Sequence, residues 1–154
     1  MSLSAAPDFE PAFAGYALRA RSSFARQGAM ALIGAELVDV RPGYCAIALT
    51  PRPEVSQQHG YVHAGIVGAI VDCAGGYAGY TLFPEDSSVL TVEFKLNLLA
   101  PAAGERLLAE GHVVKAGRTL AVTRGEVHAE TAGRRTLVAL MQQTLMVMHG
   151  TPDA

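Results

Sequence analysis

The feature that most constrains the fold is an apolar stretch, residues 62–83, which carries one carboxylate, Asp72, and five glycines. A helix that is apolar on all sides has to be buried inside the protein. A lone carboxylate in such a helix is costly unless it is paired or takes part in chemistry. The stretch therefore predicts a buried central helix, and Asp72 is the first residue to examine for a functional role.

Size and charge exclude several classes of protein. A chain of 154 residues is expected to form one domain that spans residues 1–154. The net charge of −2 and the isoelectric point of about 6.2 leave no basic excess that would attract nucleic acid or an anionic membrane. We therefore expect neither of them as a partner. The apolar share of 50% indicates further burial between subunits.

The apolar stretch is long enough to raise the question of membrane insertion. Asp72 and His63 lie within it, and it lacks flanking Lys or Arg anchors, so we reject that interpretation. Residues 1–8 lack the basic start and apolar core of a signal peptide. Cys45 and Cys73 lie outside any Cys-x-x-Cys motif, which favours buried reduced thiols. We expect a cytoplasmic protein.

The rest of the sequence predicts one more helix and a series of strands. Apolar residues at helical spacing indicate an amphipathic helix over residues 9–28, with Arg19 off the apolar stripe and therefore on its solvent side. In one segment, strict alternation places the apolar residues from Leu90 to Leu98 on one face and Thr91 on the other. Gly125 is expected to mark a bulge, and the tail from His149 is expected to be loose. The expected strands cover residues 35–41, 44–50, 89–99, 105–116, 119–131 and 135–148.

Short turns join the later strands, so these strands are expected to be antiparallel. An antiparallel sheet can bury a helix that is apolar all round by curling about it. The sequence therefore predicts an α+β fold, in which a curved antiparallel sheet of about six strands wraps around one long central helix. The core of this fold is expected over residues 30–148.

His63 and Asp72 are nine residues apart on the predicted helix. Helical geometry then places them on opposite sides of the helix and roughly 13 Å apart along its axis. They cannot meet over one small substrate within a subunit. If both act, the site has to combine Asp72 of one chain with the His63 end of another, which ties activity to a two-fold dimer.

The start of the helix provides backbone donors. The N–H groups of Ala64 and Gly65 have no intrahelical acceptors and lie at the positive end of the helix dipole. Such donors can hold a carbonyl oxygen as it gains negative charge. Gln57, in the loop before the helix, is placed to orient a water molecule or a carbonyl group. An acid, an oxyanion-binding helix end and an amide together suit acyl transfer to water.

The motif Gln57-x-x-Gly60-x-x-His63-Ala64-Gly65, with Asp72 nine residues after the histidine, resembles the hotdog-fold thioesterases of the PaaI-like group. Their usual pattern is Asn-x-x-Gly-x-x-His-Gly-Gly, followed by a helix with an acidic residue. Residues 72–78 and 92–104 are also similar to that group. The resemblance covers roughly residues 30–148. It implies hydrolysis of acyl-coenzyme A thioesters without metal or organic cofactor, in dimers that pair into tetramers.

The resemblance also implies roles for individual residues. Asp72 is the general base or the nucleophile, and the N–H of Ala64 or Gly65 polarises the thioester carbonyl. His63 positions the acyl thioester, and Gln57 takes the place of the usual asparagine. Two departures affect substrate choice, because Gln57 is longer than asparagine and the methyl group of Ala64 narrows the approach. Five residues near hairpin ends are expected to contact coenzyme A: Ser87, Ser88, Gly117, Arg118 and Thr119.

Simpler interpretations of the same residues remain open. Asp72 is also explained as a structural carboxylate, His63 as a helix cap, Gln57 as a loop-stabilising amide and Arg118 as a solvated turn residue. His59 and His63 have the spacing of two metal ligands, but no third ligand is evident, so no metal is expected. Cys73 has no neighbouring cation in the sequence and is expected to be an inert thiol.

Two other functions also fit the sequence. One is an enoyl-thioester hydratase or dehydratase on the same fold, and the other is a non-catalytic protein that binds acyl-coenzyme A. No Gly-x-Ser-x-Gly elbow is present, so serine-hydrolase chemistry has no support. The apolar helix favours a medium-chain or aromatic acyl group.

Overall fold

A computed structural model describes residues 8–153 as three α-helices and one six-stranded antiparallel sheet. The helices are α1 (Tyr16–Ala25), α2 (Gly28–Ile33) and α3 (Ala64–Tyr80), and a short 3-10 helix spans Pro53–Val55. The strands are β1 (Ala35–Arg41), β2 (Tyr44–Leu49), β3 (Ser87–Leu98), β4 (Arg106–Ala116), β5 (Leu120–Thr131) and β6 (Arg134–His149). They are ordered β1-β2-β4-β5-β6-β3 across the sheet. Because α3 contacts all six strands, the predicted α+β architecture is confirmed.

Burial alternates with a period of two along the central strands, and the buried positions define the inner face of the sheet. On β4, Leu107, Ala109 and Val113 are buried at alternate positions, and Ala121 and Val127 continue this pattern on β5. These small and branched side chains face α3. The core of the protein is therefore the layer between α3 and the concave face of the sheet.

Two glycines on neighbouring strands let α3 approach the sheet closely. Gly111 of β4 and Gly125 of β5 are directly paired. A Cβ atom added to Gly111 would collide with the backbone of Ala74, and one added to Gly125 would collide with Val71. The expectation that Gly125 marks a bulge was wrong, since it stays in register with Gly111 and Met141. Its role is to leave room for the helix.

The helix contributes glycines of its own to this contact. A Cβ atom on Gly75 would collide with the side chain of Gln143, and one on Gly79 would collide with Leu145. Both partner residues lie on β6 and are fully buried. Two of the five glycines of the apolar stretch are therefore explained by close packing against the sheet.

Strand β3 forms one edge of the sheet and pairs only with β6. Its register shifts between Thr91 and Glu93, so one extra residue interrupts the pleat. Thr91 therefore shares the helix side with Phe94 and Leu96, whereas Leu90 lies opposite exposed Met146 on the outer side. The prediction of strict alternation along this strand was wrong for that reason.

The predicted N-terminal helix 9–28 forms only as α1, because residues 9–15 are not helical, and α2 begins at Gly28, where the predicted helix ends. Arg19 was placed on the solvent side of the predicted helix, but its guanidinium donates to the carbonyls of Tyr80 (2.6 Å), Phe83 (2.9 Å) and Pro84 (2.6 Å). Carbonyl groups at a helix C-terminus lack intrahelical donors and favour a cation. The contact ties α1 to the end of α3.

The tail is also better anchored than predicted. Strand β6 extends to His149, and Asp153 forms an ion pair with Arg26 at 3.2 Å. The other strand boundaries lie within two residues of the predicted ones. Within residues 8–153, no helix has both the length and the apolarity needed to cross a membrane.

The close approach of helix and sheet predicts a difference between two glycine substitutions. Gly111→Ala should lower the free energy of unfolding by about 1–3 kcal/mol, because the new methyl group meets backbone atoms that cannot move aside. Gly68→Ala should be tolerated, since its Cβ atom would make only an ordinary contact, 3.5 Å from Leu96. Urea denaturation of both variants measures the difference. Equal stabilities would contradict this account of the packing.

Candidate active site

Asp72 lies on α3, half-buried, with its two carboxylate oxygens in different surroundings. Oδ1 accepts hydrogen bonds from the Thr91 hydroxyl at 2.8 Å and from the amide of Gln143. Oδ2 has no hydrogen-bond partner among residues 8–153. One oxygen is therefore held by the protein, and the other is free to accept a proton or to attack.

Burial and hydrogen bonding act in opposite directions on this carboxyl group. Burial raises the pKa of Asp72, and the hydrogen bonds from Thr91 and Gln143 partly offset that rise. The net result is a pKa above the ordinary value for aspartate. A carboxylate that is less stabilised than in water is a stronger base, which suits an acid–base role.

A cavity of about 330 Å³ adjoins Asp72. Helix α3 supplies Cys73 and Tyr77 to its wall, and the N-terminal helices with the residues that join them supply Ser23 and Gln27. The Tyr77 hydroxyl contacts Ser23 at 3.0 Å and accepts from the amide of Gln27 at 2.8 Å. Burial raises the pKa of Cys73 to about 12, so its thiol stays protonated and is a poor nucleophile.

His63 occupies the N-cap position of α3, as the simpler interpretation of this residue expected. Its Nδ1 atom accepts the N–H of Gly65 at 2.9 Å. That N–H is therefore already bonded within the protein. This corrects the prediction that Gly65 is an oxyanion donor. The N–H of Ala64 has no acceptor within residues 8–153. In its neutral form His63 carries its proton on Nε2, which leaves this atom as a second donor.

A second cavity, of about 360 Å³, opens at this end of α3 and is lined by Gln57, His63 and Ala64. The Gln57 side-chain oxygen accepts the N–H of His59, and Gly60 closes the loop with a φ of +85°. The amide of Gln57 thus stabilises the loop and also borders the cavity. Only a residue that tolerates positive φ suits position 60, which explains the glycine of the motif.

The structure keeps Asp72 apart from the His63 end of the same chain, as the helical spacing predicted. The two cavities share no lining residue. They border the same strand at different points: the Asp72 cavity contacts Val89 and Thr91 near the start of β3, and the second contacts Leu98 at its end. A single chain therefore holds Asp72 and the free N–H of Ala64 in two separate cavities, at opposite ends of one sheet edge.

The expected coenzyme A contacts lie together, with one exception. Ser87 is fully buried, and its hydroxyl donates to the Pro84 carbonyl at 2.5 Å. This corrects the prediction that Ser87 contacts coenzyme A. His149, which pairs with Ser87, donates from Nε2 to the carbonyl of Arg118 at 2.7 Å. This histidine, assigned to the tail from the sequence, brings the start of β3 and the exposed turn 117–119 to one end of the sheet.

Two partners of Asp72 were missed from the sequence. Thr91 was placed on the wrong face because the bulge could not be seen, and Gln143 lies 71 residues away along the chain. The available signal for Gln143 was the polar pair 142–143, which interrupts an otherwise apolar strand. No group of three or more His, Cys, Asp or Glu side chains that could hold a metal ion occurs in the described part of the chain.

A six-stranded antiparallel sheet around one long helix, with a carboxylate on that helix, defines a hotdog-fold protein. A family model described as the thioesterase superfamily matches residues 59–135, half of the chain. The chain belongs to the thioesterase superfamily.

Solved structures agree with this assignment. A thioesterase family protein from Silicibacter pomeroyi is 45% identical, with a TM-score of 0.86 over 88% of this chain and 100% of that one. The PaaI protein of the E. coli phenylacetic acid degradation operon is 19% identical, with a TM-score of 0.79 over 89% of this chain and 96% of its own, which shows a common fold.

Among curated proteins, a "Putative esterase" from Halobacterium salinarum is 31% identical over 101 residues, or 62% of this chain. The chain spans between 59% and 66% of the lengths of the curated relatives that it matches.

The raised pKa of Asp72 predicts that the ionised carboxylate, which the proposed chemistry needs, lowers the stability of the folded protein. A folded-state pKa above the unfolded value makes the ionised form costly, so this cost is present at neutral pH and disappears as pH falls below the ordinary aspartate value. The Asp72→Asn variant keeps an Oδ1 atom that can accept hydrogen bonds from Thr91 and Gln143, but it carries no charge. It should unfold at higher urea than the wild type at pH 7, and the gap should narrow at lower pH. A variant that is less stable at every pH would contradict this.

Proposed function

We propose that the chain hydrolyses acyl-coenzyme A thioesters as a dimer, with each site built from two protomers. The observation that carries this proposal is the position of the two half-sites. Asp72 lies beside the start of β3, and the free N–H of Ala64 lies beside its end. Neither half-site alone has both a base and an oxyanion donor.

The edge strand has the properties of a surface that pairs with a second copy. Strand β3 is 12 residues long, and its backbone pairs on one side only. Val92, Phe94 and Leu98 are 46–55% exposed. A long, apolar edge strand that stays uncovered is an aggregation hazard, so proteins of this kind cover it. A second β3 running antiparallel would complete the hydrogen bonding and bury these side chains.

Antiparallel pairing about a two-fold axis joins opposite ends of the two strands. The start of β3 in one protomer then lies beside the end of β3 in its partner. Asp72 consequently faces the partner's Ala64 and the partner's His63, and the second site, related to the first by the two-fold axis, forms at the same time. The dimer thus has two equivalent sites, each of which needs both chains.

In the proposed reaction, Asp72 belongs to one protomer and the donors to the other. The thioester carbonyl oxygen accepts hydrogen bonds from the N–H of the partner's Ala64 and from Nε2 of the partner's His63. Oδ2 of Asp72 either removes a proton from the attacking water or attacks the carbonyl carbon itself. The C–S bond breaks, the sulfur of coenzyme A leaves with the electron pair and takes up a proton, and the free acid remains. In the second route, water then releases the acyl group from Asp72.

The remaining parts of the substrate have assigned places in this proposal. The acyl group enters the cavity beside Asp72, where Cys73, Gly76 and Tyr77 of α3 face polar side chains such as Ser23 and Gln27. The choice of a medium-chain or aromatic acyl group rests on the apolar character of α3 in the sequence. The exposed turn at Gly117, Arg118 and Thr119, with Ser88 nearby, is available for the phosphates of coenzyme A. No metal or organic cofactor takes part, and the expected cytoplasmic location stays a prediction.

Pairing of dimers into tetramers belongs to the same proposal. Leu90, Met146 and Leu120 lie side by side across β3, β6 and β5, on the face of the sheet away from α3. All three side chains are exposed. This apolar row supports contact between the outer faces of two dimers.

Ala64 allows a direct test of the oxyanion donor. Ala64→Pro deletes the free N–H at the first helical position, which tolerates proline. We expect turnover, measured as thiol release from acyl-coenzyme A, to fall about a hundredfold or more, as for loss of an oxyanion donor. Ala64→Gly keeps the N–H and should retain activity. Equal activities would remove this donor from the mechanism.

Mixing two inactive variants tests whether the site is shared. Asp72→Asn should lose at least about a hundredfold in turnover. When it is unfolded and refolded with an equal amount of Ala64→Pro, each mixed dimer has one intact site, so about a quarter of wild-type activity should return. No recovery in verified mixed dimers would place the site within one chain. Hydration of an enoyl thioester without thiol release, or binding without turnover, would overturn hydrolysis.

The edge-strand interface predicts a contrast between the two edges of the sheet. Phe94→Glu places a charge on β3 and should weaken dimerisation by at least about tenfold, with loss of activity. Val38→Glu, on the opposite edge strand β1, changes a residue of similar exposure (40% against 46%) and should leave the dimer intact. Light scattering after size exclusion measures the outcome. A dimeric Phe94→Glu protein would rule out this interface.

A further inference from the structure

Two buried polar side chains behind Asp72 are not used by the reaction described above. Gln143 on β6 is 1% exposed, and Thr123 on β5 is fully buried. The Thr123 hydroxyl donates to the Gln143 side-chain oxygen at 2.9 Å. The Gln143 amide nitrogen contacts Oδ1 of Asp72, the main-chain carbonyl of Asp72 at 3.2 Å and the Thr91 hydroxyl at 3.0 Å. A buried amide with every polar atom satisfied is held in one orientation.

Thr123 sets the direction in which this amide points. Because its hydroxyl donates to the Gln143 oxygen, the amide nitrogen is turned toward Asp72. The reverse orientation would place the amide oxygen against a carboxylate oxygen, and two acceptors would repel each other. Gln143 also donates to Thr91, whose own hydroxyl donates to Asp72, so the two donors to Oδ1 are connected.

The helix leaves room for this arrangement. A Cβ atom on Gly75 would collide with the Gln143 side-chain oxygen and come within 2.8 Å of the Thr123 hydroxyl. Any larger residue at position 75 would therefore displace the amide. The glycine, the threonine and the glutamine come from α3, β5 and β6, and they meet only when the helix is seated on the sheet.

We propose that Gln143, oriented by Thr123, is a positioning residue that holds Oδ1 of Asp72 and thereby aims Oδ2 into the cavity as an ionised base. This inference rests on the role of Asp72 in the proposed function. Gln143 is buried, does not line the cavity, and donates only to Asp72 and to the Thr91 hydroxyl. It acts through Asp72 and does not touch the substrate.

Few other groups near Asp72 can titrate. On α3 these are Cys73 and Tyr77, and at the far wall of the cavity they are Arg26 and Asp153, which form an ion pair with each other. The contacts from β3, β5 and β6 are Thr91, Thr123 and Gln143, which are all uncharged. A change in the titration of Asp72 on substitution of Gln143 is therefore attributable to the lost donor.

The decisive measurement is the pKa of Asp72 itself, followed by NMR of the ¹³C-labelled carboxyl group and assigned with the Asp72→Asn variant. Gln143→Met removes the donor with little change of shape and should raise this pKa by about one unit. The acid limb of the kcat profile should shift by the same amount while KM changes little. Gln142→Met, the adjacent residue on the outer face, is the matched control and should leave both unchanged.

The Thr123→Val/Gln143→Met double variant separates this role from a structural one, because it leaves no polar atom unpartnered and should recover stability while keeping the shifted pKa. Thr123→Ser, which retains the hydroxyl, should behave as the wild type. An unshifted Asp72 pKa in the double variant would overturn the inference even if thioester hydrolysis is established. If the pKa shifts and Asp72→Asn remains fully active, the proposed function fails and the structural coupling stands.

Discussion

The backbone of α3 lies against the backbone of β4 at Gly111, the Val71 side chain of α3 packs against Gly125 of β5, and the rest of the structure depends on these two contacts. No side chain fits between helix and sheet at Gly111, so the depth and rotation of α3 are set together. The helix glycines cost about 1 kcal/mol each in helix propensity relative to alanine. In return, Gly75 leaves space for Gln143, and Asp72 reaches donors from two strands. The packing of α3 on the sheet therefore also determines the position of the Asp72 carboxylate.

The fold could be predicted to a large extent because its determinants are local patterns. The apolar stretch with its glycines predicts a buried helix, and alternation with short turns predicts the strands around it. The failures have local physical causes. The bulge between Thr91 and Glu93 needs knowledge of the partner strand, and residues 9–15 carry apolar residues at helical spacing without forming a helix. Arg19 was misplaced because a pattern of apolar residues does not show the carbonyl groups at the end of another helix.

The candidate site was only half visible for a related reason. Asp72 is conspicuous because it is the one carboxylate in an apolar helix, and His63 because of its motif. Their separation into two half-sites also followed from helical geometry. The donors that hold Asp72 come from distant strands, so no spacing rule finds them. The occupation of the Gly65 N–H by His63 depends on a side-chain rotamer, which the sequence does not specify.

The clasp between Arg19 and the end of α3 has a consequence for how such a chain can diversify. It holds in place the N-terminal helical segment, which contributes no strand to the sheet. Ser23 and Gln27 of this segment nevertheless line the cavity beside Asp72. Mutations there can remodel the cavity while the hydrogen-bonded framework below stays intact. Under the proposed function, changes in this segment can therefore alter selectivity for the acyl group without altering the residues that cleave the thioester.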